Sequence, residues 1–287
     1  EGPLIQTANG AINLVGRGGN NTSGTPSEDN DGIYLDGSTI RSTGGLTGTI
    51  TLTGTALAGD NSDGVDLDDD TTSVASIITS VAGDILITAL STGAENGFEL
   101  QSGSTVESTG TGASAATITI IGNGTGANGI DTDNGGIFSV DGDISLTATG
   151  DQGANINDSV ISTLGTSSIL LIGIGDTRDG IDVDDSTIST LGTGTITLDG
   201  TTNGDDGFFT NGATTQIASA AGDISITGAT TGTGAGANGV DIDSGITLVI
   251  NATNAANITI TGTGDAADEA VEIESPISSQ AGNVTIT

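Results

Sequence analysis

Aspartate residues recur in closely spaced pairs along this chain, and their carboxylates are the side chains best suited to carry chemistry. In an alternating strand, the pattern Asp-x-Asp projects both carboxylates from one face. Oxygen-only ligands of this kind favour Ca²⁺ over transition metals. We therefore predict Ca²⁺ sites on such a face, with these candidate ligands: Asp66, Asp68, Asp69, Asp70, Asp131, Asp133, Asp182, Asp184, Asp185, Asp241 and Asp243. No segment matches an EF-hand loop, so the pattern leaves open a solvated acidic face with diffuse counterions.

The side chains that most enzymes use are scarce here. The chain has no His, no Cys and no Lys, and its cations are Arg17, Arg41 and Arg178. A serine or cysteine triad would therefore lack its base, and a thiolate metal site is excluded. We expect that the protein is not an enzyme. A polysaccharide-active β-helix enzyme, using carboxylates such as Asp182 and Asp184, is kept as a remote alternative because the fold permits it.

The net charge restricts the partners of the chain. Its 37 Asp and Glu residues oppose three Arg residues, which gives a formal net charge of −34. Binding to nucleic acid or to an anionic membrane surface needs a basic footprint, so both are excluded. No apolar run approaches the length of a membrane span, so we expect no membrane insertion. Divalent cations are the natural partners.

A repeated unit organises the whole sequence. An Asp, Asn or Gln followed by Gly and an apolar residue recurs at these positions, the last in altered form: Asp31, Asp63, Asn96, Asn128, Gln152, Asp179, Asp206, Asn238 and Glu269. Each unit holds three segments, called A, B and C, exemplified by DGIDVD at Asp179, STIST at Ser186 and GTITLTG at Gly48. All three alternate apolar with polar residues, which predicts strands with one buried face. The spacing varies, from 24 residues after Asn128 to 33 after Asp63, mainly between segment C and the next segment A.

Three constant strands and one variable connection predict an all-β fold, a parallel β-helix (β-solenoid) of about nine coils. Each coil would contribute one strand to each of three sheets, named A, B and C after the segments, with rungs about 4.8 Å apart. Sheet A would bury Ile33, Val65, Phe98, Ile130, Ile181, Phe208, Val240 and Val271. Sheet C would bury Ile50, Ile85, Ile118, Ile144, Ile169, Ile196, Ile224, Ile258 and Val284. A β-propeller needs about four strands per blade, which a 24-residue unit is too short to supply.

The strings GTITLTG, GDISITG and DGIDVDDSTIST resemble the repeat regions of large secreted bacterial exoproteins. These are the filamentous-haemagglutinin-like and autotransporter adhesins, and the similarity covers nearly the whole chain. The resemblance implies right-handed coils, an extracellular or cell-surface location, and a role in adhesion, matrix or surface fibres. It also implies cell-surface or matrix glycans as partners, and it supplies no catalytic residues.

We expect residues 1–287 to form a single β-solenoid domain that is uncapped at both ends. PLIQTANGAINL from Pro3 aligns with SPISSQAGNVTI from Ser275, and neither end carries a polar cap or an amphipathic helix. Unpaired strand edges invite pairing, so the chain is expected to associate with itself head to tail. The predicted function is a self-associating rod of an extracellular filament, sheath or matrix. The alternative is a stalk or binding module of a large cell-surface adhesin.

Overall fold

Three parallel β-sheets wind around one apolar core. The computed structural model describes residues 2–19, 30–45, 48–57, 62–69, 74–233, 236–245, 247–250, 256–265 and 268–287. Within these ranges there is no α-helix, and the one helical turn is a 3₁₀ turn at Gly112–Ser114. None of the helical structure in these ranges has the length and apolar character that crossing a bilayer would require.

The described strands follow one another in the repeating order B, C, A. Sheet A consists of Ile33–Asp36 (β3), Val65–Asp68 (β6), Phe98–Gln101 (β9), Asn128–Asp133 (β12), Gln152–Asn157 (β15), Ile181–Asp184 (β18), Phe208–Asn211 (β21), Val240–Ile242 (β24) and Val271–Ile273 (β27). Sheet B consists of Leu4–Thr7 (β1), Thr39–Ser42 (β4), Ile77–Ser80 (β7), Thr105–Ser108 (β10), Gly136–Ser139 (β13), Val160–Thr163 (β16), Thr187–Thr190 (β19), Gln216–Ser219 (β22), Thr247–Ile250 (β25) and Ile277–Ser279 (β28). Sheet C consists of Ile12–Arg17 (β2), Ile50–Ala56 (β5), Ile85–Ser91 (β8), Ile118–Gly124 (β11), Ile144–Gly150 (β14), Ile169–Gly175 (β17), Ile196–Thr202 (β20), Ile224–Thr230 (β23), Ile258–Thr263 (β26) and Val284–Ile286 (β29).

The pairing of these strands confirms the parallel β-helix. Each strand pairs in parallel with its equivalent in the next coil, so that Ile50 lies beside Ile85 and Ile85 beside Ile118. The predicted inward columns of sheets A and C are buried along the middle of the rod. At the last coil, Val284 is 43% exposed, because only one neighbouring strand covers it.

Glycine at the start of segment A is required by a close approach of two backbones. At Gly32, Gly64, Gly97, Gly129, Gly153, Gly180, Gly207 and Gly239, an added Cβ would lie 2.1 to 2.5 Å from a backbone nitrogen of the following sheet C strand. The chain passes from sheet C to sheet A here, and real Cβ atoms do not approach backbone so closely. The glycine that marks the repeat therefore allows the backbone at the start of segment A to pack directly against the backbone of the following sheet C strand.

A left-handed residue makes the turn from sheet A to sheet B. Asn134 (φ 54°), Asp158 (φ 45°) and Asp185 (φ 42°) occupy this position in successive coils, and Asn and Asp tolerate this conformation better than most residues. A buried serine follows in two of them. The Oγ of Ser186 accepts a hydrogen bond from the Ser159 backbone N–H at 2.9 Å, which ties adjacent turns together.

Candidate functional site: the acidic face of sheet A

The side of sheet A that faces away from the core carries most of the predicted ligands. We call this the acidic face, and three columns of residues run along it. The entry column precedes the strands and contains Asp31, Asp63, Asn96, Asn128, Gln152, Asp179, Asp206, Asn238 and Glu269. The middle column contains Tyr34, Asp66, Glu99, Asp131, Asn155, Asp182, Phe209, Asp241 and Glu272. The outer column contains Asp36, Asp68, Gln101, Asp133, Asn157, Asp184, Asn211, Asp243 and Glu274.

The entry column is a ladder of side-chain to backbone hydrogen bonds. Asp63 Oδ1 accepts a hydrogen bond from the Asn96 N–H at 2.7 Å, and Asn96 Oδ1 accepts one from the Asn128 N–H at 3.1 Å. The same contact recurs between Asp179 and Asp206 at 2.9 Å. Either an acid or an amide supplies the acceptor oxygen, which explains why Asp and Asn exchange freely at the start of the repeat. In Asp63, Asp179 and Asp206, Oδ1 is thus engaged by a backbone N–H of the next coil.

The carboxylate of Asp131 is surrounded by three amide donors. Asn96 Nδ2 and Asn128 Nδ2 donate to its Oδ2 at 3.3 and 3.0 Å, and Asn155 Nδ2 donates to its Oδ1 at 2.8 Å. The donors come from the entry column of the preceding coil, the entry column of the same coil and the middle column of the next coil. Burial nevertheless raises the pKa of Asp131. The three amide hydrogen bonds lower the pKa of Asp131 and so offset part of the effect of burial.

Asp63, Asp66 and Glu99 form a cluster of three carboxyl groups across two coils. One oxygen of each lies within 4.8 Å of one oxygen of the other two. In the described part of the chain, no other group of three such side chains meets this closely. Asp63 and Asp66 are buried, at 6% and 7% exposure. Oδ1 of Asp66 is shielded from solvent and has no hydrogen-bond partner.

The electrostatics of this cluster oppose full ionisation. Burial raises the pKa of Asp66 to about 9, and the charges of Glu99 and Asp31 add to the effect. Burial and then the charge of Glu99 also raise the pKa of Asp63, while burial raises that of Glu99. Three carboxyl groups this close together and this far from water repel one another when all are ionised, so a bound proton or a bound cation would lower the energy of the cluster.

The predicted ligands nearest to this cluster on the chain differ from Asp66 in their contacts. Asp68 is buried, and its Oδ1 accepts a hydrogen bond from the Asp69 N–H at 2.7 Å. Asp69 is half-buried, and Asp70 lies outside the described residues. Asp133 is exposed and accepts a hydrogen bond from Asn157 Nδ2 at 3.2 Å. Those of these side chains that belong to the described residues do not form a second group of three.

Of the predicted ligands Asp182, Asp184 and Asp185, the first two lie on the acidic face and the third does not. Burial raises the pKa of Asp182 to about 7, and its Oδ2 accepts a hydrogen bond from Gln152 Nε2 at 3.2 Å. Oδ1 of Asp184 is shielded and unpartnered. Asp185 instead occupies the left-handed turn, where its Oδ1 accepts hydrogen bonds from the N–H and hydroxyl of Thr214. Those hydrogen bonds lower the pKa of Asp185.

Asp241 and Asp243 complete the predicted set. Burial, followed by the charge of Glu272, raises the pKa of Asp241 to about 6. Asp243 Oδ1 accepts a hydrogen bond from the adjacent Ser244 N–H. The nearby Asn238 Nδ2 donates to Glu272 at 3.0 Å, so an amide again compensates part of the charge.

Two members of the three-carboxyl cluster, Asp63 and Glu99, were absent from the predicted ligand set. Asp63 looked like a repeat marker, and Glu99 does not belong to an Asp-x-Asp pair. A signal for them does exist in the sequence. It is an acid at both the entry and middle positions of one coil, followed by an acid at the middle position of the next.

Comparisons with known proteins found no family model, no curated protein and no solved structure that matches this chain. The assignment of a parallel β-helix therefore rests on the strand pairing in the structure. The kinship with filamentous-haemagglutinin-like or autotransporter-like adhesins stays a prediction.

Proposed function

We propose that this protein is a structural, non-enzymatic rod of an extracellular filament, sheath or matrix, and that its acidic face takes up divalent cations such as Ca²⁺. The observation that carries the proposal is the set of three long all-parallel sheets, in which each coil offers three strand edges to the next coil. A strand edge of this kind, when unpaired, is a template for a further coil. A second copy that adds in register would extend all three sheets in a head-to-tail contact, which does not close and grows a filament.

Charge decides the conditions under which such growth takes place. A net charge of −34 opposes the approach of two copies. Salt shortens the reach of this repulsion to about 8 Å at 0.15 M ionic strength, and cations bound to the acidic face would remove part of it. Self-association is therefore expected to increase with added Ca²⁺ at fixed ionic strength.

The outer edge of β2 offers a direct test. The N–H of Ile12 bonds to Thr49 and that of Gly18 to Thr55, so alternate residues face β5, and the Val15 N–H faces the other side of β2, where no described strand pairs. Val15→Pro removes that donor without removing a bond inside the chain. Val15→Thr is the matched control, because it keeps the N–H and strand propensity.

Sedimentation velocity and negative-stain microscopy are expected to show chains of stacked copies for the wild type and Val15→Thr. Val15→Pro is expected to remain monomeric. A wild type that stays a monodisperse monomer at high concentration, with and without Ca²⁺, would contradict self-stacking. That result would favour the stalk of a larger adhesin.

A further inference from the structure

We infer that Asp63, Asp66 and Glu99 form a discrete Ca²⁺ site that bridges two successive coils of the solenoid. The inference deepens the cation-binding part of the proposed function and does not depend on self-association. It assigns the uptake of Ca²⁺ to one place on the acidic face, and two of the three ligands lie outside the Asp-x-Asp pattern.

The spacing of the three carboxyl groups suits Ca²⁺. Ca²⁺ binds oxygen at about 2.3 to 2.6 Å, so two oxygens on opposite sides of the ion are separated by at most about 5.2 Å. The cluster oxygens already lie within 4.8 Å of one another. Three carboxylates offer three to six oxygens, and water can fill the remaining positions of a flexible coordination shell.

An unpartnered oxygen points to a ligand at this place. Oδ1 of Asp66 lies in a residue that is only 7% exposed, and it accepts no hydrogen bond. A buried carboxylate oxygen without a donor is costly, since it has lost water and gained nothing. Oδ1 of Asp63 accepts a hydrogen bond from the Asn96 N–H, and one oxygen of Asp63 lies within 4.8 Å of an oxygen of Asp66 and of an oxygen of Glu99.

The neighbourhood of Asp131 is an internal control for this argument. Its three amide donors are Asn96, Asn128 and Asn155. The residues at the same three places around Asp66 are Asp31, Asp63 and Glu99.

The backbone positions that carry three amides around Asp131 therefore carry three carboxyl groups around Asp66. The amides donate three N–H groups to Asp131, whereas ionised carboxylates have none to give, so that the side chain of Gln101 is the amide partner of Asp66. A divalent cation takes the place of the missing donors. It also neutralises part of the negative charge of the clustered carboxylates.

The test compares Ca²⁺ binding by the full chain with binding by three variants. Asp63→Asn and Glu99→Gln each remove one ligand charge, and the double variant places amides at two of the three positions that carry amides around Asp131. Asp133→Asn is the matched control, since it removes one charge from an exposed place on the same face. Each protein is titrated with CaCl₂, and separately with MgCl₂, by isothermal titration calorimetry at fixed ionic strength.

The wild type and Asp133→Asn are expected to show one Ca²⁺ site tighter than the rest. Each single cluster variant is expected to weaken it by roughly tenfold or more, because ligand charge sets the affinity of such sites. The double variant is expected to lose this tight Ca²⁺ site. In chelator it is expected to melt at a higher temperature than the wild type, which would show that the variant is folded and that the lost binding is not a folding defect.

Equal titration curves for wild type, cluster variants and control would overturn the inference and leave a diffuse ion atmosphere. Tighter binding of Mg²⁺ than of Ca²⁺ would overturn the assignment of the ion. Neither result bears on the Val15 experiment, so the failure of this site is distinguishable from the failure of the proposed rod.

Discussion

Gly97→Ala is expected to destabilise the protein severely, by roughly 3 kcal/mol or more, or to prevent folding. The new Cβ would lie 2.2 Å from the Asn123 nitrogen and 2.6 Å from the Gly129 oxygen. Neither atom belongs to a side chain that can rotate away. The backbone is held on both sides, because the Gly97 N–H donates to Asn128 O at 2.9 Å and the Val65 N–H donates to Gly97 O at 3.1 Å.

Gly45→Ala is the matched control for this substitution. An added Cβ at Gly45 meets no described atom within 4 Å, and its φ is not in the left-handed region. Its effect is expected to stay within about 0.5 kcal/mol, as for most surface substitutions. Urea unfolding followed by circular dichroism measures both variants. A Gly97→Ala protein as stable as Gly45→Ala would show that the coils do not close as tightly as the structure has them.

In the presence of a chelator, the free energy of unfolding is expected to fall as the pH rises from about 4 to about 7, and Asp206 is a principal cause. Burial raises the pKa of Asp206 from 3.8 to about 7, against a hydrogen bond from the Asn238 N–H that lowers it. The charges of Asp179, Asp241 and Asp205 raise the pKa further. Between these two pH values the folded chain keeps a proton that the unfolded chain releases, so stability is complete below pH 4 and is lost towards pH 7.

Asp206→Asn is expected to raise the free energy of unfolding by about 2 kcal/mol at pH 8, after allowance for solvent screening. At pH 4 it is expected to change the free energy of unfolding little. The amide oxygen can still accept from the Asn238 N–H, as Asn96 does for Asn128 in the same column. Thermal melts at fixed ionic strength measure the difference. Equal stabilisation at both pH values would rule out an ionised carboxylate as the cause.

Asp185→Asn provides a control of opposite sign. The hydrogen bonds from Thr214 lower the pKa of Asp185, so its carboxylate contributes stability that is present at neutral pH and is lost in acid. Asn also tolerates the left-handed turn that Asp185 occupies. This variant is expected to lose a little stability at pH 8, and the loss is expected to shrink as the pH falls below 3.8.

The sequence by itself determined the fold and the register of this protein. Apolar residues alternate with polar ones in every segment, and in a parallel stack each strand lies on its equivalent in the next coil. The columns therefore follow from alignment alone, as in the run from Asp66 to Glu99 to Asp131. The burial of Ile118 and Ile144 follows from the same rule.

The tertiary structure alone decided which carboxyl groups meet and which atoms surround them. Asp63 and Glu99 lie 36 residues apart and in different columns, so their contact depends on how side chains lean between coils. Asp185 directly follows the Asp182–Asp184 pair and belongs to the predicted ligand set, yet a left-handed turn directs it to Thr214. Periodicity specifies which face a residue occupies, whereas the burial of its oxygens and the identity of its donors depend on packing between coils.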